Sequence, residues 1–551
     1  MDRPWLNAYP QGVPADIPTP EFRSIREMIE HAFREYADRP AYSNMGSTLT
    51  YRDLDELSMQ FARYLQNTLG LTRGERVAIM LPNLLQYPVA LCGAFRAGLV
   101  VVNVNPLYTA RELRHQLADS GARAIVILEN FAHVLQEVIG DTQVEHVVRT
   151  GLGDLLRWPA RPITNFVVRY VKRAVPRYSL PGSVSFANAL RRGKQGELNH
   201  IELGFADIAF LQYTGGTTGV SKGAMLSHRN MVHNVFQTEA WTGGTFDDIE
   251  RNVAITALPL YHIFSLKSNC LLMMWLGGEN VLITNPRDAA GFVRELGKHR
   301  FTYVTGVNTM FATLLNTPGF AELDFSALRL TIGGGMAVQE AIAREWQAVT
   351  GKPIVQAYGL TETSPAATIN PLDSAGFNGS IGLPIPSTAV RICDDDGKDT
   401  ELGEICIRGP QVMEGYWRNQ EETQKVMLPG GWFRTGDIGR MDEQGFVYIE
   451  DRKKDMILVS GFNVYPNEIE GIAVEMDCVL EAAAIGIPDE KSGEAIKLFV
   501  VRSNTSVTED DVLAHCRASL TRYKMPQAVE FRDELPKTNV GKILRRALRD
   551  E

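Results

Sequence analysis

The feature that most constrains this chain is a regular alternation of short apolar runs with amphipathic segments. The runs RVAIMLPN (76–83), VVVNVNP (100–106) and ARAIVILE (122–129) predict buried strands, while LQYPVALCGAFRAG (85–98) and ARELRHQLADSG (110–121) have helical spacing. Such alternation indicates parallel sheets covered by helices. The same pattern returns in four later runs: NVAITALPL, NVLITNP, YVTGVN and LRLTIGGG.

The chain is too long for one compact core. Its 551 residues indicate at least two domains. After about residue 386 the pattern changes to short strands joined by Asp/Gly turns, which predicts a small β-rich subdomain. A final unit, residues 451–551, has strand and helix patterns of its own.

Charge and cysteine content exclude several classes of protein. A net charge of −9 disfavours a general nucleic-acid binder. The six cysteines are far apart and form no CxxC pair, so neither a zinc site nor a disulfide framework is expected. We find no apolar leader at the N-terminus and no apolar run of spanning length. These features predict a cytoplasmic protein.

A glycine-rich loop follows another predicted strand. The apolar run IAFLQ (208–212) leads directly into YTGGTTGVSKGA (213–224). Glycines let the backbone approach a ligand, hydroxyls donate to oxygen anions and Lys222 adds a positive charge, which is typical of a phosphate cradle. The loop fails the Walker pattern, because Ser221 and Gly223 flank Lys222. A flexible surface loop is the alternative. The residues expected at the phosphates are Tyr213, Thr214, Gly215, Gly216, Thr217, Thr218, Gly219 and Lys222.

Two further segments could complete a nucleotide site. In YGLTETSP (358–365) an aromatic ring can stack on a base, and Glu362 is a candidate Mg²⁺ ligand because a carboxylate near phosphates needs a cation between them. In the segment 430–455, Asp437 and Arg452 could hold a ribose. A capping carboxylate and a plain β-turn are the alternatives for Glu362 and Asp437. The nucleotide contacts expected here are Gly334, Gly335, Tyr358, Gly359, Thr361, Asp437 and Arg452.

Five motifs in order resemble the acyl-adenylate-forming superfamily, which includes acyl-CoA synthetases, firefly luciferase and peptide-synthetase adenylation domains. They are YTGGTTGVSKGA, YGLTET, GWFRTGD, DRKKDMI and PKTNVGK, and they extend over most of the chain. The resemblance implies an α/β fold with a large N-terminal domain, residues 1–450, built of parallel sheets and a β-rich subdomain. It also implies a small mobile α+β C-terminal domain, residues 451–551, with Lys454 at the hinge.

The resemblance also implies a two-step reaction with ATP, Mg²⁺ and CoA. A carboxylate attacks the α-phosphorus of ATP and releases pyrophosphate, and the CoA thiol then displaces AMP. Lys542 matches the lysine that bridges the carboxylate and the α-phosphate, and Glu362, with Thr217, matches the metal ligands. His262 borders the carboxylate, and Gly461 lines a tunnel for the pantetheine arm after the C-terminal domain rotates.

The apolar pocket segments and the basic insertion resemble bacterial long-chain fatty acid–CoA ligases. Some long-chain enzymes carry a gating tryptophan four residues after the histidine, where this chain has Leu266. The runner-up is a medium-chain or aromatic-acid (coumarate-type) CoA ligase. A kinase or P-loop NTPase is disfavoured by the failed Walker pattern. A catalytically inactive nucleotide-binding or membrane-associated interaction protein should lack Lys542 or Glu362.

The segment ITNFVVRYVKRAV (163–175) is a basic amphipathic helix by its spacing. Its apolar side contains Ile163, Phe166 and Tyr170, and Arg169, Lys172 and Arg173 lie mainly opposite. It fits either a core-packed helix with solvated basic residues or a peripheral contact with the inner membrane surface. The sequence does not decide between these two interpretations, and it also leaves open whether the protein forms a homodimer.

Overall fold

The computed structural model describes residues 3–214, 221–374, 376–460, 462–489, 492–503, 506–538 and 541–549. The strands, in chain order, are β1 Pro40–Asn44, β2 Ser47–Thr50, β3 Arg76–Met80, β4 Val100–Asn103, β5 Ala124–Leu128, β6 His146–Thr150, β7 Val184–Ser185, β8 Ile208–Thr214, β9 Lys222–Ser227, β10 Val253–Thr256, β11 Glu279–Leu282, β12 Tyr303–Gly306, β13 Leu330–Gly334, β14 Ile354–Gly359, β15 Ala366–Ile369, β16 Leu383–Pro384, β17 Ala389–Cys393, β18 Leu402–Arg408, β19 Gly415–Tyr416, β20 Met427–Leu428, β21 Trp432–Met441, β22 Val447–Arg452, β23 Ile457–Val459, β24 Phe462–Val464, β25 Val479–Asp489, β26 Gly493–Arg502 and β27 Ala528–Arg532.

The helices, in chain order, are α1 Ile25–Glu35, α2 Tyr51–Arg63, α3 Gln86–Arg96, α4 Ala110–Ser120, α5 Ala132–Val138, α6 Ala160–Phe166, α7 Phe186–Arg192, α8 His228–Thr242, α9 Ile263–Ser265, α10 Leu272–Trp275, α11 Ala289–Leu296, α12 Asn308–Leu315, α13 Glu340–Thr350, α14 Gln420–Val426, α15 Pro466–Ala473, α16 Glu509–Ser519 and α17 Arg545–Arg549. Three π-helical segments in the described part of the chain, Tyr64–Thr68, Val167–Val171 and Leu266–Leu271, continue α2, α6 and α9.

Two large sheets dominate the fold. One has the strand order β16-β15-β14-β13-β12-β10-β11-β1-β2, and the other has the order β19-β9-β8-β4-β3-β5-β6-β7. Neighbours are parallel from β14 to β1 and from β8 to β7. Antiparallel strands lie at both edges of the first sheet and at the β19 edge of the second. Strands such as β4 and β5 are buried at every residue, as expected for parallel strands covered on both faces. The predicted strand–helix alternation is confirmed.

The helix boundaries follow local capping chemistry. Thr109 caps α4 and exchanges hydrogen bonds with Glu112, three residues into the helix. Gly121 ends the helix with a φ of +63°, a left-handed conformation that glycine adopts without steric cost. These two signals fix the length of α4 and so the return of the chain into β5.

The β-rich subdomain predicted after residue 386 is a separate antiparallel sheet. Its order is β17-β18-β21-β20, and β22 pairs with β21. In that pair Asp437 lies opposite Arg452, so the register of one hairpin brings two predicted site residues together.

The C-terminal segment forms a fourth sheet and has its own apolar core. The sheet has the order β24-β23-β26-β25, with β27 paired to β26, and helices α15 and α16 pack with it. The core residues of this part all come after position 456. The fold is therefore α/β, with a large N-terminal part and a smaller C-terminal one, as expected. The boundary at residues 450/451 stays a prediction. Within the described ranges we find no helix long and apolar enough to cross a membrane.

Candidate active site

The segment that leads to His262 is fixed by a buried amide and a hydroxyl from the stretch between β3 and α3 and from α3 itself. The side chain of Asn83 donates to the carbonyls of Thr256 (2.9 Å) and Leu258 (3.0 Å) and accepts from the N–H of Leu260 (2.8 Å). The hydroxyl of Tyr87 donates to the carbonyl of Leu260 at 2.8 Å. These bonds satisfy the irregular backbone between β10 and α9. Sequence analysis did not identify Asn83 or Tyr87 as positioning residues.

His262 caps the helix that follows it. Its Nδ1 accepts from the backbone N–H of Phe264 at 3.4 Å, which leaves Nε2 as the protonated nitrogen of a neutral ring. Removal from bulk water lowers the pKa of His262 to about 3, and the positive charge of Lys542 acts in the same direction. At neutral pH this histidine is therefore a hydrogen-bond donor without charge.

Lys542 extends from the C-terminal segment over the end of β13. Its Cε lies 3.7 Å from the point where a Cβ on Gly335 would stand. Gly335 has a φ of +79°, and a Cβ on Gly334 would come within 2.9 Å of the carbonyl oxygen of Ala357. Burial, together with the positive charge of Arg452, lowers the pKa of Lys542 to about 8, although the negative charges of Asp437 and Glu362 act in the opposite direction. These predicted residues thus share one electrostatic site.

Tyr358, Asp437 and Arg452 form a hydrogen-bonded chain. The Tyr358 hydroxyl donates to Oδ2 of Asp437 at 2.6 Å, and Nε of Arg452 lies 2.9 Å from Oδ1. Asp437 is buried, and burial together with that carboxylate raises the pKa of Tyr358 well above its usual range. Each carboxylate oxygen has a second lone pair, so Asp437 can still accept from a diol.

An aromatic side chain, that of Tyr416, connects Glu362 with Lys222 at the base of the glycine-rich loop. The Tyr416 hydroxyl donates to Oε1 of Glu362 at 2.7 Å. The Lys222 ammonium stands 4.6 Å from the centre of the Tyr416 ring and forms an ion pair with Glu422 at 2.6 Å. Lys222 is therefore engaged by a carboxylate that sequence analysis did not identify. A ligand phosphate would have to compete with Glu422 for this ammonium.

The loop itself lies mostly outside the described residues. Thr214 pairs with Lys222 across the β8–β9 hairpin, so the two ends of the loop adjoin. The Tyr213 side chain points to the opposite face, where its hydroxyl donates to Asp119 at 2.5 Å. Its side chain is therefore part of the core rather than of the loop surface. Gly215, Gly216, Thr217, Thr218 and Gly219 fall among the undescribed residues, and so does Gly461.

The remaining predicted residues have structural explanations or stay at the edge of the site. A Cβ on Gly359 would collide with the carbonyl oxygen of Pro365 at 1.7 Å, so only glycine fits there. Thr361 begins a short 3₁₀ turn that carries Glu362 inward. Lys454 is exposed, two residues after Arg452. Its role at a hinge stays a prediction.

The loop that carries Lys542 contacts the large domain. The Thr309 hydroxyl, in the first turn of α12, lies 3.5 Å from the carbonyl oxygen of Gly541. A Cβ on Gly541 would stand 2.7 Å from the same hydroxyl oxygen. Two backbone hydrogen bonds close the loop. The N–H of Gly541 donates to the carbonyl of Thr538 at 2.9 Å, and the N–H of Thr538 donates to the carbonyl of Lys542 at 2.7 Å. This arrangement fixes Lys542 inside the site, and sequence analysis did not identify Thr309.

The donor set near Glu362 fits Mg²⁺ delivered with a nucleotide. Among the described residues no group of three or more His, Cys, Asp or Glu side chains could hold a metal ion. Mg²⁺ commonly keeps water and phosphate ligands and takes only one or two carboxylates from the protein. Glu362 can supply one such carboxylate, with its orientation set by Tyr416.

Comparisons with known proteins agree with this geometry. Residues 29–417 match the model of the AMP-binding enzyme family, and residues 468–542 match that of the AMP-binding enzyme C-terminal domain. The chain is 57% identical to a long-chain-fatty-acid–CoA ligase of Yersinia pestis, with 100% of this chain and 98% of the relative covered. A ligase of the same name from Salmonella typhimurium strain LT2 is 55% identical with the same coverage.

Among solved structures, MatB from Rhodopseudomonas palustris, crystallised with ATP, is 29% identical. It superposes with a TM-score of 0.81 and covers 95% of this chain and 98% of its own. The family match extends over more than half of the chain, and the relatives extend over all of it. The chain therefore belongs to the AMP-binding enzyme family.

Proposed function

We propose that this protein is an ATP-dependent long-chain fatty acid–CoA ligase that releases AMP and pyrophosphate. The reaction class is supported by one observation above all: Lys542 enters a site that also contains Glu362, Asp437 and Arg452. That the acid has a long chain is supported by the full-length similarity to ligases named for such acids.

In the first step the acid carboxylate attacks the α-phosphorus of ATP, the P–O bond to pyrophosphate breaks and an acyl-adenylate forms. Two anions must approach, so the barrier is largely electrostatic. Lys542 provides the positive charge between them. Asp437 accepts from the ribose hydroxyls while Arg452 and Tyr358 fix its orientation. His262 is neutral, so its Nε2–H offers a hydrogen-bond donor and adds no charge to the site.

Mg²⁺ held by Glu362 would neutralise part of the phosphate charge during this step. The protein's own contribution is the placement of that carboxylate by the Tyr416 hydroxyl. Thr217 stays the second proposed ligand.

In the second step the CoA thiol attacks the carbonyl carbon and a C–S bond forms. The C–O bond to AMP breaks with its electron pair left on the AMP phosphate, and the thiol proton is released to solvent. Lys542 occupies the site in the present arrangement. We infer that the C-terminal domain, residues 451–551, turns about Lys454 to withdraw Lys542 and bring Gly461 to the pantetheine arm. Such sequential assembly is a gating use of domain motion.

The test is product analysis with ATP, Mg²⁺, CoA and a series of saturated acids from medium to long chain, with coumarate as an aromatic acid. The proposal expects AMP, pyrophosphate and acyl-CoA in equal amounts, with the highest kcat/KM for long chains. Preference for medium-chain or aromatic acids would support the alternative ligase. AMP and pyrophosphate without acyl-CoA would show that CoA is not the acceptor, and ADP would overturn the reaction class.

A further inference from the structure

The residues around α6 form an exposed apolar surface. Trp158 is 85% exposed, Phe166 59% and Tyr170 63%. Five of the eleven large hydrophobic side chains that are exposed among the described residues fall within residues 158–171. They are Trp158, Ile163, Phe166, Tyr170 and Val171. Isolated exposed apolar residues need no explanation, but a cluster within one short segment indicates an interaction site.

The opposite side of this helix is bound to the body of the protein. The Asn165 side chain accepts from the N–H of Gly153 at 2.7 Å and donates to Asp154 at 2.8 Å. One turn later, Arg169 forms an ion pair with Glu129. The side chain of Asn130 donates to the carbonyl of Ala174 at 2.9 Å. These bonds prevent the helix from rotating about its axis. Its apolar side therefore cannot be buried against the protein and faces outward.

The expected grouping of Arg169 with Lys172 and Arg173 needs a correction. Arg169 is part of the attachment to Glu129, so it is not a free cation of the surface. The other exposed cations are Arg157, Arg161, Lys172, Arg173 and Arg177, and none of these five forms an ion pair with a described residue.

Charge decides which partner fits. Residues 157–177 contain six basic and no acidic side chains, in a chain with a net charge of −9. A second copy of the same surface would bring like charges together. In an anionic bilayer, Phe166 and Ile163 can enter the apolar layer, and Trp158 and Tyr170 can lie at the level of the headgroups. The negative lipids attract the surrounding basic side chains. Each Lys or Arg near such a surface adds to the electrostatic attraction.

We propose that residues 157–177, here named the docking surface, bind an anionic lipid membrane. The apolar side enters the boundary between headgroups and acyl chains, and the exposed cations contact the phosphates. This proposal rests on the proposed function, because that function gives membrane binding its use. An enzyme already at the membrane would capture a long-chain acid that is dissolved there.

The experiment is flotation of the full-length protein with vesicles of phosphatidylcholine alone or mixed with phosphatidylglycerol. We expect wild type to bind the mixed vesicles at least tenfold more tightly, less so at high salt. Phe166→Ser with Tyr170→Ser, and separately Lys172→Glu with Arg173→Glu, should each weaken binding at least tenfold. Equal binding of wild type and both double variants would overturn the proposal. So would wild-type dimers that the variants lose, without vesicle binding, because the surface would then pair with itself.

Matched controls separate the surface from general effects. Leu402→Ser removes another exposed apolar side chain, and Lys298→Glu with Arg344→Glu makes the same charge change elsewhere. Both should bind like wild type. Acyl-CoA formation from acid in detergent should be unchanged in every variant, which shows that they fold. If wild type formed no acyl-CoA but still bound vesicles, the proposed function would fail while the docking surface stood.

Discussion

Lys542 is the residue on which the proposed first step depends most. Lys542→Ala should slow acid-dependent ATP–pyrophosphate exchange at least a hundredfold, because the two approaching anions lose the charge between them. Thioester formation from a supplied acyl-adenylate should be nearly unchanged. Wild-type exchange kcat/KM should fall as pH rises through about 8, where the free protein's Lys542 loses its proton. Equal losses in both half-reactions would show that Lys542 is not specific to adenylate formation.

Lys267 is a buried cation that the proposed reaction does not use. Lys267 is only 1% exposed, and its Nζ donates to the hydroxyl of Thr238 at 2.6 Å. Burial lowers its pKa to about 7 from 10.5. Because the unfolded chain keeps the proton to higher pH, this burial destabilises the fold fully below about pH 7. The penalty then fades as pH rises from about 7 toward 10.5. A shift of this size corresponds to several kcal/mol, about 1.4 per pKa unit.

Lys267→Met keeps the volume and removes the charge, so it should raise the thermal midpoint by several degrees near pH 6.5. The gain over wild type should shrink at pH 9.5. Lys298→Met, at an exposed lysine that pairs with Glu295, is the matched control and should change little at either pH. Scanning calorimetry at both pH values measures the effect. A midpoint for Lys267→Met that is no higher than wild type would mean that the amine is better solvated than its burial indicates.

At the scale of elements, local patterns predicted strands and helices well. Buried runs such as Val100–Asn103 fold as parallel strands because apolar side chains fill both faces. The contacts that shape the site were harder to predict, because they join residues distant in the sequence. The ion pair of Lys222 with Glu422 joins a hairpin to α14, and Asn83 holds a segment more than 170 residues away. No periodicity encodes such pairs.

The basic helix illustrates the same limit. Spacing predicted its amphipathic character, and the choice between a packed and an exposed apolar side remained open. The hydrogen bonds of Asn165 and the ion pair of Arg169 orient the helix outward. Since both partners, Gly153 and Glu129, belong to other elements, only the tertiary structure could supply that orientation.

At the scale of the whole molecule, the two-step proposal requires the C-terminal loop to dock in one step and leave in the other. Thr309 belongs to the large domain and meets that loop at Gly541. Thr309→Phe should therefore block docking, and acid-dependent ATP–pyrophosphate exchange should fall about tenfold or more. Thioester formation from supplied acyl-adenylate should be spared, because Lys542 is withdrawn in that step.

Thr313→Phe is the matched control, since Thr313 is exposed one turn further along α12. It adds the same ring to the same helix, and both half-reactions should proceed as in wild type. Rapid-quench measurement of each half-reaction separates the two outcomes. If Thr309→Phe slowed both steps equally, the loop would stay docked throughout the reaction. Lys542 would then remain beside the acyl-adenylate when the thiol attacks, and a rotation of the C-terminal domain would no longer be needed.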